Sequence, residues 1–327
     1  MGMMNVSITV PSRWGRSALL CGVFCVLLIQ GGCVSTPLVS QFQVGQIIEV
    51  KTGKRIPFQA LTSRLASVDV VYIGEEHYTP SHVEAAVQIL DTFVTAGRKP
   101  ALAMEMFSWD GQPALNQYTQ LHTLTQEQFL KESHWEQSWG SDYENYEPLV
   151  NFAKEHTLAL YALNPPRPLV RMVAKQGLET AMQDPVMEKW GVKKDISLDD
   201  AEYKKVIFKP IELCHPGMTK KMYEGYYQAS IFRDEGMAKV ITGYLTRKRQ
   251  GRGPLVSYTG GGHVQYGVPV PKRVRRDGPS SLEDVSIYLI SLDPTRVGEV
   301  QEAIDEGIAD YIWLRNMGPG GPQPKCG

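Results

Sequence analysis

The chain of 327 residues lacks most of the features that settle a function early. It has five cysteines, three of them within the first 33 positions, so Cys214 and Cys326 are all that a disulfide in the rest of the chain could use. Neither sign of charge dominates: 34 Lys and Arg against 35 Asp and Glu leave a net charge of −1, which excludes a general attraction to nucleic acid. No apolar run reaches the roughly 18 residues of a membrane-spanning helix. No internal repeat recurs at the usual periods. The G-x-S-x-G elbow, the Walker loop and H-E-x-x-H are missing, which removes the commoner hydrolase, NTPase and metalloprotease readings.

What is present begins at the N-terminus. Arg13 and Arg16 precede the apolar run SALLCGVFCVLLI, and Gly31-Gly32-Cys33 follows it. The pattern resembles a bacterial lipoprotein signal, which implies a signal peptide over 1–32, lipidation at Cys33 and a linker over 33–44. Val34 after the cysteine favours an outer-membrane anchor facing the periplasm in a Gram-negative source. The tail 317–327, GPGGPQPKCG after Met317, is too rich in Gly and Pro to order itself. The basic runs Thr246–Arg252 and Lys272–Arg276 read as solvated surface.

Between these ends, apolar runs alternate with helical patterns. Strands are expected at Gly45–Val50, Val68–Ile73, Pro100–Phe107, Thr157–Leu163, Pro254–Thr259, Val285–Ile290 and Asp310–Leu314. Helices are expected at Ser81–Ala96, Glu144–Glu155 and Leu169–Ala181. That rhythm predicts an α/β fold: a mostly parallel sheet flanked by helices, formed by 45–183 and 251–316. The polar, helical segment 184–250 interrupts it and reads as a smaller inserted helical domain.

In such a sheet, ligands gather beyond the carboxyl ends of the strands. Four polar clusters fall there: Gly74-Glu75-Glu76-His77 with His82, Glu105, Asn164 with Arg167, and Gly260-Gly261-Gly262-His263. Thr79 and Pro80 suit a helix start, and Ser81 with Glu84 offers an alternative capping box. Two acids and two histidines in one turn suit a metal ion; equally, Glu75 suits a buried acid accepting backbone N–H bonds. In the inserted segment, helical spacing puts Tyr226, Ser230, Arg233 and Met237 on one stripe. Tyr227, Ile231, Asp234 and Ala238 form a second stripe about 100° round.

Taken together, the sequence resembles the ChaN family of haem-binding lipoproteins, within the Tiki/TraB-like group. The matching pieces are Gly74-Glu75-x-His77 with Pro80 and His82, Met104-Glu105-Met106-Phe107, Trp139, Tyr146-Glu147-Pro148-Leu149, Ala162-Leu163-Asn164 with Pro166-Arg167, Arg233-Asp234 with Met237-Ala238, and Gly262-His263-Val264. The resemblance implies a membrane-anchored homodimer that binds haem for iron acquisition, with haem held between subunits by a tyrosine on the iron and a histidine near a propionate. On that reading Tyr78, Tyr223, Tyr226 and Tyr227 are candidate iron ligands, and Arg233, His263 and the helix start at Ser81 would receive propionates. Glu75, His77, His82, Glu105 and Arg167 would complete the binding surface. Tyr78-Thr79 and Val83 depart from the family pattern, which removes a carboxylate and a histidine from any metal site. The alternative is a metal-assisted hydrolase using Glu75, His77, Glu105 and His263.

Overall fold

The computed structural model describes residues 41–140, 142–192, 195–214, 216–247, 253–318 and 321; the expected signal, Cys33, most of the linker, most of the tail and Cys326 lie outside them. An eight-stranded sheet runs β2-β1-β8-β7-β3-β6-β4-β5. The strands are β1 (Ile47–Glu49), β2 (Lys54–Ile56), β3 (Val70–Glu75), β4 (Ala101–Ser108), β5 (Ala159–Asn164), β6 (Leu255–Gly260), β7 (Asp284–Ser291) and β8 (Tyr311–Arg315). β3 to β8 are mutually parallel, and the β1–β2 hairpin adds an antiparallel edge against β8.

Strands buried on both faces carry near-continuous apolar runs, and VVYIGE of β3 and ALAMEMFS of β4 are buried along their whole length. One face packs Val71, Ile73, Met104 and Val256 against α1 (Phe58–Leu65), α2 (Pro80–Thr95) and α3 (Glu147–Glu155). The other face packs Val70, Tyr72, Ala103 and Leu255 beneath Met237, Ala238 and Ile241 of a long helix, Lys220–Thr246. With α4 (Arg167–Gln176) and α5 (Ala201–Cys214) preceding it, that long helix is α6; α7 (Val270–Asp277) and α8 (Val297–Asp305) complete the set used below.

The interruption between β5 and β6 is helical, as its polar pattern predicts, and the second half of α6 lies on the sheet itself. Within the run Lys272–Arg276, Arg275 and Arg276 are exposed as expected, and Arg273 departs from that solvated face. Arg273 is buried, donates from Nε to Glu235 at 3.0 Å, and stacks its guanidinium 4.4 Å from the Tyr203 ring. Arg276 reaches the same carboxylate, so α6 and α7 are fastened by charge.

Strand order around β3 explains where a site can form. From β3 the chain crosses to β4 on one side, while from β6 it crosses to β7 on the other. The crevice at that divergence lies at the carboxyl ends of β3 and β6, where Glu75 and Gly260 are in register.

Candidate functional site

Strand β3 ends in a buried acid. Glu75 Oε1 accepts from the Tyr146 hydroxyl at 3.0 Å and lies 2.8 Å from His77 Nδ1; Oε2 accepts from Tyr258 at 2.5 Å. Burial pushes the Glu75 carboxyl above the usual carboxylate range, and the three hydrogen bonds oppose that only in part. The chain then turns sharply through Tyr78, whose φ of 60° is left-handed, a conformation uncommon for a bulky residue. Its N–H donates to the Tyr146 hydroxyl, so Tyr146 ties the turn to Glu75. His77 therefore lies over Gly260, where a Cβ would stand 2.7 Å from the imidazole; only glycine leaves that space. Trp139 meets His77 edge-on at 4.9 Å, and the Tyr78 ring lies 6.1 Å from Trp139. Tyr78 is 37% exposed.

A second acid stands two strands away. Glu105 Oε2 accepts from the Gly260 N–H at 2.7 Å, while Oε1 accepts from Arg233 at 2.5 Å and lies 3.3 Å from His263 Nε2. Burial alone would raise its pKa, but His263, Arg233 and His77 hold it well below the usual carboxylate range. Asn164 secures the arrangement by donating to the Glu105 carbonyl and accepting from Arg233 Nε. His263 Nδ1 lies 2.5 Å from Asp234 Oδ1, and Tyr203 donates to the other Asp234 oxygen. Burial disfavours charge on His263, yet the Glu105 and Asp234 carboxylates outweigh it and raise its pKa to about 9. With a carboxylate at each ring nitrogen, His263 is an imidazolium at neutral pH. His77 is also raised: burial lowers it, and the Glu75 hydrogen bond and the Glu105 charge more than compensate.

The crevice thus holds a balanced network of charges under an aromatic shelf, and comparison with known proteins gives it a context. A family profile described as haem-binding uptake, Tiki superfamily, ChaN, matches residues 61–274, most of the chain. The chain belongs to the ChaN family. A structure described as cofacial heme binding to ChaN of Campylobacter jejuni shares this fold, with a TM-score of 0.62 and 19% identity over 82% of this chain and 95% of that one. A curated relative, Protein RETICULATA-RELATED 5, chloroplastic, of Arabidopsis thaliana, is 26% identical over 274 residues. That match takes in 78% of this chain and 35% of the plant protein, so the chain spans about a third of that relative's length.

In this ChaN-family chain the structure brings Glu75, His77, Tyr78, Glu105, Arg233 and His263 together. Arg167 stands at the edge, donating to the Gln137 carbonyl at 3.0 Å and close enough to act on the Tyr78 phenol. His82 is placed elsewhere. Its Nδ1 accepts from the Glu76 N–H at 3.0 Å and its Nε2 faces the Ser291 hydroxyl at 3.3 Å, so both ring nitrogens serve to hold the turn. Thr79 occupies the cap position of α2 without capping it, its hydroxyl donating instead to the His77 carbonyl. Ser81 donates to the Asn316 carbonyl and forms no capping box. Tyr227 is buried on α6 and donates to the Leu198 carbonyl at 2.9 Å, while Tyr226 is 45% exposed. Among the described residues no group of three or more His, Cys, Asp or Glu side chains is placed to hold a metal ion.

Tyr258 and Tyr203 complete the network from positions that no motif marks, and Tyr146 and Asp234 join it from the family-matching pieces. Tyr258 is buried in PLVSYT, where its hydroxyl needs a partner, so a polar end inside an apolar strand was the available signal. Asp234 was visible as a charge beside Arg233 on an otherwise packed helix.

Proposed function

We propose that this chain binds haem at the mouth of the Glu75–Glu105 crevice and does so as a lipid-anchored cell-envelope protein of haem and iron acquisition. The observation that carries the site is Tyr78. Its phenol is exposed at the head of the charge network, beside the His77 and Trp139 rings, on a turn fixed by Tyr146. A phenol oxygen is a hard donor suited to ferric iron, and aromatic rings suit the porphyrin face. Haem would supply the iron centre; the chain supplies its ligand, its ring contacts and its cations.

Three cationic side chains nearby support this reading. The half-exposed imidazole of His77 and the exposed side of Arg167 flank Tyr78, and Arg233 keeps 29% of its side chain exposed while bound to Glu105. Each suits a propionate. Along α6, Met222 and Tyr226 are exposed on the stripe that leads to Arg233, which extends an apolar surface toward the crevice. An open apolar rim of this kind suits a ligand shared with a second copy of the chain.

The test is an absorbance titration with haemin. Wild type should show a high-spin ferric spectrum with a phenolate charge-transfer band. Tyr78→Phe should lose the band and weaken binding about tenfold or more, the scale of 1.4 kcal/mol or above. Tyr226→Phe should keep the band. Unchanged spectrum and affinity in Tyr78→Phe would remove Tyr78 as the ligand. For the anchor, Cys33→Ala should abolish fatty-acid labelling of the expressed protein; normal labelling would refute lipidation there.

The Glu75–His77 pair favours a second reading, acid–base hydrolysis, because a raised carboxyl and a half-exposed imidazole sit in direct contact. Peptidase or esterase turnover in wild type, lost in Glu75→Gln with the fold retained, would establish it in place of simple binding.

A further inference from the structure

Glu75 and Glu76 are neighbours in the chain but serve opposite sides of it. Glu75 turns into the crevice described above. Glu76 lines a separate cleft of about 730 Å³, bounded by α5, α8, β7 and the loop after His263. That volume lies in the range of small-molecule sites, and Val206, Val268, Ile290 and Ile308 give it an apolar floor.

The polar groups of this cleft are unlike those of the crevice. Five of its lining side chains are glutamates and three are basic; Lys272 beside the cleft pairs with Glu202 at 2.8 Å, which leaves a formal excess of one negative charge. Two of the basic groups are already engaged: Lys209 with Glu306 at 3.0 Å, and Arg296 with Glu299 at 2.7 Å. Two tyrosine rings also line the wall. Tyr266 is pinned by its hydroxyl on Glu306 at 2.5 Å, and Tyr288 packs over Gly74 and Gly261, where any added side chain would meet its ring. Both rings are therefore held in place at the wall, and aromatic faces attract cations most strongly where water is excluded. Glu76 completes the set. Its Oε1 accepts from the Ser291 N–H at 3.1 Å, which fixes the carboxylate at the base of the cleft.

We propose that this cleft is a second binding site, for a small organic cation that carries an ammonium group on an apolar body. The ammonium would lie between the Tyr266 and Tyr288 rings against the Glu76 carboxylate, with the apolar body along Val206 and Ile290. Burial raises the Glu76 carboxyl above the usual carboxylate range, the Ser291 hydrogen bonds and the Arg296 charge oppose that only in part, and a bound cation would offset the remainder. The site is independent of haem, since none of its groups belongs to the crevice network.

The probe is benzyltrimethylammonium, compared with its neutral tert-butyl isostere and with benzenesulfonate, each titrated into the full chain and followed by methyl NMR at Val206, Ile290 and Ile308. The cation should saturate these shifts with an affinity about tenfold or more above either comparison compound. Glu76→Gln should lower cation affinity about tenfold while leaving neutral binding unchanged, and Tyr266→Leu should weaken the cation alone. Equal binding of the neutral isostere or the sulfonate, or no saturable shift with the cation, overturns the proposal. The wild-type comparison among the three probes decides the matter even if a variant fails to fold.

Discussion

His263 and His82 stand at the same edge of one sheet, His82 wholly inside the protein and His263 mostly so, and one is charged where the other is neutral. His263 has Asp234 at one nitrogen and Glu105 at the other, and its pKa rises to about 9. His82 has a backbone N–H at one nitrogen and a serine hydroxyl at the other; burial, with Arg315 adding to it, takes its pKa down to about 3. Burial acts in the same direction on both. The partner decides the outcome. The same division runs along the turn after β3, with Glu75 in a crevice of paired charges and His82 held neutral between a backbone N–H and a serine hydroxyl.

The comparison breaks most visibly at Glu105. Its removal leaves Arg233 and His263 facing each other without their shared carboxylate, and Glu105→Ala should cost about 3 kcal/mol in urea unfolding, near the lower end for a broken buried pair because Arg233 is part-exposed. Ser291→Ala, on the neutral side, should cost about 1 kcal/mol. Comparable losses in the two variants would erase the distinction.

The pH profile tests the same contrast with its signs. His263 has a folded pKa above its unfolded value of about 6.5. Its contribution is therefore complete below that pH and is lost as pH rises through about 9. His82 has a folded pKa below the unfolded value, so its contribution is complete above about 6.5 and is lost as pH falls toward 3. Melting temperature should fall on both sides of neutrality. His263→Gln should flatten the alkaline limb alone, and His82→Gln the acid limb alone. An effect smaller than that at Glu105 is expected at Tyr258. Tyr258→Phe removes one donor from the buried Glu75 carboxylate and should cost about 1–2 kcal/mol, measured by the same unfolding assay.

The architecture was legible because parallel strands covered on both faces leave long apolar runs, and all seven expected strands are present within a few residues of their bounds. The β1–β2 hairpin strand Lys54–Ile56 was not foreseen, since three mostly exposed residues carry no periodic signal. Much of the site was legible too, as ionisable residues where a turn needs few. Direction was not. Glu75, Glu76, His77 and His82 lie within eight positions, and nothing in their order tells which face the crevice and which support it. That depends on Tyr146, Tyr258 and Ser291, which arrive from distant segments. Arg273 of the basic run at 272–276 is buried for the same reason, because the carboxylate that draws it inward sits on α6.

Haem is proposed to bind at the crevice mouth through Tyr78. Crystals of the protein grown with haemin, with the iron located by its anomalous scattering, test it most directly. Iron bonded to the Tyr78 phenol oxygen is expected, with the porphyrin beside Trp139 and a propionate on His77, Arg167 or Arg233. Iron located in the Tyr266–Tyr288 cleft, or on the far face of the sheet with the Tyr78 phenol unbound, would contradict it.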